Sequence, residues 1–542
     1  MRSKTAIAAV IICAALVYLP GLGRYSLTDS DETWHAGTAR EMMERGDYIV
    51  PYFNGKLFPD KPPMMYWMMI AGFRVFGVGE LPARLGSALS AILAAAAVYA
   101  LGAEMFNRRI GLIAGLIMAT NLSYIVVGRA AMADGALMLF LVLCFLGFWR
   151  VHQGDRRLRN YFLIYVAMGL GGLAKGPVVP AVFIIALIGV SLLERRGKLF
   201  LETWAIPGLL AAGAIYMAWM IPADRATGGE MMSEGVGRHV IQRAFSGATH
   251  SHSGPFFYYI ALLPVTFFPW IALLPLAFKK LWPAEEARRH RAFLVAWAAG
   301  PFLLFSFMTT KLPHYVLPAT PALAIVIAFA VDRAVRQRES FYDGRLAKLG
   351  IILFGFVAIV LGVAFFVFPF HAQLPRVARY CFGAGGLMLA MFGLVAADLR
   401  RLRTERAVFT LAAGMTVLVL VLSLFAMPAM DEHASTRPLA EKLAEHAPPD
   451  AKLFTTGHSV PSIVFYTGRT RETTRWQGVR EHLDAGEDFV WLALKDRLED
   501  VPPDFMDRLE KIETVHKFMP SRVEWRTWVF LRPGAAPEEE RE

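Results

Sequence analysis

Asp29, Ser30, Asp31 and Glu32 stand just past the apolar run Thr5 to Gly21, and Asp60-Lys61-Pro62-Pro63 closes the same polar loop. A carboxylate at a bilayer surface can take a proton from an incoming hydroxyl or steady developing positive charge. A lysine in the same loop can hold a phosphate through charge-assisted hydrogen bonds. Two other segments add cations. Pro222 to Gly254 carries Arg238, His239, Arg243, His250 and His252, and Lys311-Leu312-Pro313-His314-Tyr315 precedes an apolar run. Asp134 begins another apolar run, and Lys175 separates two more. Carboxylates and cations gathered at one membrane face suit a substrate with a lipid-borne phosphate. Asp60 and His252 form a candidate pair for a divalent cation.

Each of these residues also has a plainer use. The acidic cluster could cap a helix, Lys61 could snorkel, Lys175 could mark topology, and Tyr315 could belong to an aromatic belt.

The elements that must hold these groups are read from composition and periodicity. The 542 residues are 56% hydrophobic and 19% charged, with mean hydropathy +0.43. That is too apolar for a soluble globule, so several runs face lipid and the chain is a polytopic α-helical membrane protein. The net charge of +11 does not point to nucleic acid, because Lys and Arg sit in short loops between apolar runs. Cys13, Cys144 and Cys381 lie within apolar stretches and offer neither a disulfide framework nor a metal-ligand spacing.

The first run, behind a basic N-terminus, reads as an uncleaved span with the N-terminus cytoplasmic. Basic connections then alternate down the chain: Arg108-Arg109, Arg150 to Arg159, Arg195 to Lys198, Lys279 to Arg291, Arg333 to Lys348 and Arg400 to Arg406. This alternation predicts about thirteen spans over residues 1–430 and an external C-terminus. Among them are single spans over Ile110 to Val127 and Pro255 to Phe278. Met64 to Phe76 reads as an amphipathic piece lying in the interface. From Asp431 to Glu542 the chain is polar. A helix over Pro438 to His446 and strands at Lys452 to Thr456, Ser462 to Tyr466, Phe489 to Ala493 and Trp525 to Leu531 predict a small external α/β domain.

A transporter would place ionisable groups inside its spans and repeat its halves, whereas these spans are almost free of charge and the sequence shows no repeat. A binding protein working through its external domain alone would leave the first loop unexplained.

Several motifs occur in order: Asp31-Glu32, Gly46-Asp47-Tyr48-Ile49-Val50-Pro51, Asp60-Lys61-Pro62-Pro63 with Tyr66-Trp67, Ala133-Asp134, Ala174-Lys175-Gly176-Pro177, and Lys311 to Pro318. Together they resemble the aminoarabinose transferase branch of the protein mannosyltransferase-like glycosyltransferases. The resemblance implies a GT-C fold and a bacterial inner-membrane enzyme with its C-terminal domain in the periplasm. It implies transfer of a sugar, with inversion, from a polyprenyl-phosphate carrier to lipid A, another glycan or a protein hydroxyl. By that resemblance Asp31 is the catalytic carboxylate and Glu32 its orienter. Lys61, Arg243, Lys311 and Tyr315 hold the donor phosphate, and Asp134, His239 and Lys175 contact sugar or acceptor. The branch commonly has Arg-Tyr where this chain has Trp34-His35, and Glu-Lys-Pro where it has Asp60-Lys61-Pro62.

Overall fold

The computed structural model describes residues 3–28, 31–242, 254–338, 344–448, 450–456, 461–519 and 524–533. Among these, eight helices are long and apolar enough to cross a membrane, and a bent pair brings the number to nine. The apolar helices Lys4–Tyr18, Met64–Phe76 and Val178–Glu194 are shorter.

Two expected spans are broken. Arg108–Thr120 and Leu122–Arg129 meet at 61°. Asn121 at the corner accepts a hydrogen bond from the Tyr124 backbone amide through its side chain, and Leu122 donates its amide to the Phe268 carbonyl. The second helix is thus capped anew rather than continued. The expected span Pro255 to Phe278 is divided into Tyr258–Thr266, a 3-10 turn at Trp270–Ala272, and Leu274–Leu281. Pro264, Pro269 and Pro275 each lack the amide that an unbroken helix needs.

The polypeptide that follows the last long helix folds around a five-stranded sheet. Its strand order is Glu472–Thr473, Lys452–Thr456, Phe489–Leu494, Glu524–Pro533 and Leu509–Met519. The first three are mutually parallel and the remaining pairings are antiparallel. The segment Ser462 to Tyr466, expected as a strand, lies within the helix Pro461–Thr467. It lies between two parallel strands, where the chain has to cross over the sheet, and a helix makes that crossing. Leu509–Met519 was not foreseen, and its alternation is interrupted by an irregularity between Lys511 and Glu513. The helix before the sheet runs on to Ala434, past the expected boundary at Asp431.

The sheet module rests on the first polar loop. Arg40 donates to the Phe465 carbonyl at 2.6 Å. Asn54 and Arg471 exchange two hydrogen bonds of 2.7 Å. The Tyr466 hydroxyl accepts from the Leu27 amide at 3.0 Å and donates to Glu80 at 3.2 Å. The loop that carries the acidic cluster is therefore held from both sides, by the helical bundle and by the sheet.

Candidate active site

Asp31 and Glu32 open the Asp31–Arg45 helix, where carboxylates favour the positive end of the helix dipole. They differ in burial: Asp31 is exposed and Glu32 is buried. Glu32 is 5% exposed and Arg84, from Glu80–Met105, is fully buried. Arg84 Nε and Nη2 donate to the two Glu32 oxygens at 2.8 and 2.9 Å. Its other donors reach the carbonyls of Leu22, Tyr25 and Ser26 at 2.7 to 2.9 Å. All five guanidinium donors are used, the full capacity of the group.

Glu32 also accepts from the Thr28 amide and hydroxyl at 3.0 Å and from the Ala131 amide at 2.9 Å. Burial works against ionisation of Glu32, but the Arg84 charge and these hydrogen bonds outweigh it and lower its pKa. The assignment of Glu32 as a catalytic orienter is corrected accordingly: its oxygens are saturated and it cannot reach a substrate. It ties the start of the loop to the corner before Asp134.

Asp31 is exposed and makes no hydrogen bond or ion pair with the other described residues. Its charge is felt at His314, as are those of Lys61, Asp134 and Lys175. Asp31 thus lies within electrostatic reach of a cleft that His314 lines.

That cleft encloses about 1040 Å³, its open mouth included. It is lined by the polar residues Asp60, Lys61, Asp134, Lys175, Thr310, His314 and Tyr315 and by apolar and aromatic residues including Tyr216, Trp219, Met220, Met231 and Phe305. Asp134 starts Asp134–His152 and Lys175 ends Leu158–Lys175, so two adjacent antiparallel helices bring opposite charges together at one end. Lys175 Nζ donates to both Asp134 oxygens at 2.7 and 2.9 Å and lies 5.5 Å from the centre of the Tyr315 ring. Gly176, at φ +62 with nothing within 4 Å of a Cβ position, turns the chain sharply from this helix into Val178–Glu194.

Lys61 Nζ donates to Asp60 Oδ2 at 2.6 Å, and His35 Nε2 lies 3.5 Å from the same oxygen. Burial alone would raise the Asp60 pKa. The hydrogen bond from His35 and the charge of Lys61 reverse that and hold Asp60 well below the usual carboxylate range. Trp219, which lines the cleft, donates to the Ile49 carbonyl at 2.9 Å, and Trp67 donates to the Tyr48 carbonyl at 2.7 Å. Both carbonyls belong to the Tyr48-Ile49-Val50-Pro51 motif.

Of the other sequence-predicted residues, Tyr315 lines the cleft and Lys311 does not. Lys311 is 5% exposed and donates to the carbonyls of Ser306 and Met308 at 2.9 and 2.5 Å. It caps the C-terminal end of Arg288–Phe307, where a cation meets the negative end of the dipole. Its assignment to the donor phosphate is corrected on that ground. His239 lies in the helical turn Ser233–Gln242, but its side chain is outside the described residues. Arg243 and His252 are also outside them. Asp60 pairs with Lys61 and lies 3.5 Å from His35 Nε2, and among the described residues no three His, Cys, Asp or Glu groups converge for a metal.

Sequence reasoning missed His314 as a cleft residue, although its motif was singled out, and it missed Arg84 and the aromatic pair Tyr216 and Trp219. For Arg84 a signal existed: an arginine inside an otherwise apolar helix calls for a buried partner.

Comparison with known proteins places this geometry. Residues 60–221 match the family model for dolichyl-phosphate-mannose-protein mannosyltransferase. The match takes in Asp60, Lys61, Asp134, Lys175 and Trp219. The undecaprenyl phosphate-alpha-4-amino-4-deoxy-L-arabinose arabinosyl transferase of Edwardsiella ictaluri is 31% identical over 66% of this chain and 65% of that protein. The protein of the same description from Yersinia pestis is 30% identical over 64% of each. The chain thus spans just under two thirds of the length of these relatives. The crystal structure of ArnT from Cupriavidus metallidurans bound to undecaprenyl phosphate superposes with a TM-score of 0.79 over 98% of both chains, at 22% identity.

The chain thus resembles the arabinosyl transferases in sequence and the Cupriavidus metallidurans protein in fold. Its GT-C architecture extends to more distant molecules. The archaeal oligosaccharyltransferase AglB from Archaeoglobus fulgidus has a TM-score of 0.53 and 11% identity, covering all of this chain and 75% of that one.

Proposed function

We propose that this chain is an integral-membrane glycosyltransferase of the bacterial inner membrane. It takes a sugar from an undecaprenyl-phosphate-type carrier and passes it, with inversion, to lipid A or another envelope glycolipid at the periplasmic face. One observation carries the reading: a single cleft is lined both by Lys61, Lys175, His314 and Tyr315 and by apolar and aromatic groups such as Trp219, Met220 and Phe305. Such a cleft fits a substrate that is part phosphate and part isoprenoid.

In the transfer, the bond from the sugar's anomeric carbon to the carrier phosphate oxygen breaks and a bond to the acceptor oxygen forms. The departing phosphate gains negative charge as the reaction proceeds. Lys61 and Lys175 therefore interact more strongly with the transition state than with the bound donor, which lowers the barrier. For a hydroxyl acceptor, Asp31 takes the proton. For a phosphate acceptor, already anionic, Asp31 steadies positive charge at the anomeric carbon. In the free protein Asp134 and Asp60 occupy the two lysines, so donor binding exchanges one set of anionic partners for another.

We read the bundle as thirteen crossings. The bent pair, the helices Ser3–Tyr18, Leu158–Lys175 and Val178–Glu194, and the broken segment from Tyr258 to Leu281 join the eight long spans. This reading puts the N-terminus in the cytoplasm, residues 1–430 in the transferase domain and residues 431–542 in a periplasmic α/β domain.

A second reading, with Ser or Thr hydroxyls of proteins as acceptors, is favoured by the mannosyltransferase model that matches residues 60–221. Mass spectrometry of envelope lipids and glycoproteins from cells with and without the gene separates the two. A gene-dependent sugar on the lipid fraction supports the first reading, one on peptides supports the second, and no difference in either fraction contradicts both.

A further inference from the structure

His314 enters the cleft wall from the first turn of Pro313–Ala319. It is half-buried, and its ring stands edge to face against that of Tyr315 at 5.2 Å. Tyr315 in turn lies 5.2 Å from Phe305, another cleft residue. The carboxylates and lysines nearby are paired with one another, Asp60 with Lys61 and Asp134 with Lys175. His314 makes no hydrogen bond or ion pair with the other described residues, so both ring nitrogens are open to a ligand. A neutral imidazole then offers one donor and one acceptor.

The position of His314 says which part of the substrate it meets. Under the proposed function, Lys61 and Lys175 mark the carrier phosphate. In an inverting transfer Asp31 marks the opposite, acceptor side of the anomeric carbon, so the sugar lies between them. The charges of Asp134, Lys175, Asp31 and Lys61 are all felt at His314, which sets it within reach of both sides. We propose that His314 hydrogen-bonds a hydroxyl of the donor sugar and is a specificity-determining residue for that sugar. This rests on the reading of the cleft as a polyprenyl-phosphate site. A lysine only donates and a carboxylate only accepts, whereas a sugar hydroxyl does both, as the imidazole does. Removing the imidazole leaves that hydroxyl unpaired in the cleft. The penalty falls on the glycosylated carrier and not on the bare carrier.

The test uses detergent-solubilised full-length protein. The donor is the polyprenyl-lipid fraction of cells lacking the gene, which retains the unused natural donor, and the acceptor is the envelope glycolipid fraction of the same cells. Transfer is read by mass spectrometry, with bare undecaprenyl phosphate as competitor. For His314→Phe, the donor concentration giving half-maximal transfer rises about tenfold, while the inhibition constant of bare undecaprenyl phosphate stays within about twofold of wild type. His314→Gln, which keeps a donor and an acceptor, shows a smaller rise. It carries the test if size-exclusion chromatography shows the Phe variant to be aggregated.

Unchanged half-saturation in well-folded variants overturns the proposal. So does an equal weakening of donor and bare carrier, which would place His314 at the phosphate, or an equal rise in the Phe and Gln variants. Each of these leaves the cleft assignment standing. Wild-type protein that is not inhibited by bare undecaprenyl phosphate, or that transfers nothing, overturns the cleft assignment and this proposal with it.

Discussion

Behind the first loop, Glu32 has both oxygens filled by Arg84, Thr28 and Ala131; one residue earlier, Asp31 is exposed and without a partner among the described residues. The same contrast holds between the clamp and the cleft as regions. In the clamp, a buried arginine has every donor committed and no solvent-facing route to exchange. In the cleft, Lys61 and Lys175 each pair with a neighbouring carboxylate while lining an open space, their side chains 20% and 16% exposed. A buried, saturated pair cannot trade partners without large cost, whereas a pair at an open wall can. The clamp holds the loop in place, and under the proposed function the cleft is where the lysines exchange carboxylate for substrate.

Breaking the clamp has the largest expected effect. Glu32→Ala leaves Arg84 buried and unpaired, a loss of about 3 to 5 kcal/mol. It shows as aggregation or a sharply lowered unfolding temperature in detergent, by scanning fluorimetry with size-exclusion chromatography. A stable, monodisperse but inactive Glu32→Ala protein would return Glu32 to the chemistry.

Opening the comparison from the other side, Asp31→Asn keeps the unfolding temperature and lowers transfer by about 10²- to 10⁴-fold with a hydroxyl acceptor. Lys175→Met comes next. It weakens donor use by roughly tenfold or more, read as a fall in kcat/KM for the polyprenyl-linked sugar, and leaves Asp134 buried without its cation.

Lys311→Ala sharpens the contrast by its mildness. A helix-capping cation is worth about 0.3 to 1 kcal/mol, up to about 2 where partly buried, so stability falls slightly and donor KM stays near the wild-type value. A large rise in donor KM with unchanged stability would restore Lys311 to the phosphate site.

The smallest effect is on pH. The folded-state pKa of Glu32 is depressed, so its contribution to stability is present above the ordinary carboxylate pKa of about 4.3 and is lost as pH falls toward the folded value. Unfolding temperature should therefore drop on acidification below that range. The Glu32→Gln variant should lack this part of the dependence.

Much of the frame was legible because lipid enforces it. Apolar runs of bilayer length and alternating basic loops marked the helices, including the tight turn at Lys175-Gly176-Pro177 between two of them. Span interiors were less legible: the bend at Asn121 and the breaks near Pro264 and Pro269 depend on contacts such as the Phe268 carbonyl that no periodicity reveals. In the sheet module, the segment around Ile463-Val464-Phe465 has strand-forming residues, and only the parallel order of its neighbours makes it a helix.

At the site, Asp31, Lys61, Asp134, Lys175 and Tyr315 could be singled out from motif order. The difference between Asp31 and Glu32 could not, because Arg84 is 52 residues further on and adjacent carboxylates look alike in a sequence. Lys311 misled for a related reason: a lysine at the end of a helix reads the same whether it turns to a ligand or back to the carbonyls of Ser306 and Met308. His35 stood out only as a departure from the related sequences, and its contact with Asp60 gives that departure a physical meaning.

The division of labour between the two adjacent carboxylates is tested most directly by measuring transfer and unfolding temperature together on purified wild type, Asp31→Asn and Glu32→Gln. The assay uses a radiolabelled undecaprenyl-phosphate-linked sugar and an envelope glycolipid acceptor. Transfer should collapse in Asp31→Asn at wild-type stability, while in Glu32→Gln it should fall only together with stability. An active Asp31→Asn protein, or a Glu32→Gln protein that is fully stable and inactive, would contradict that division.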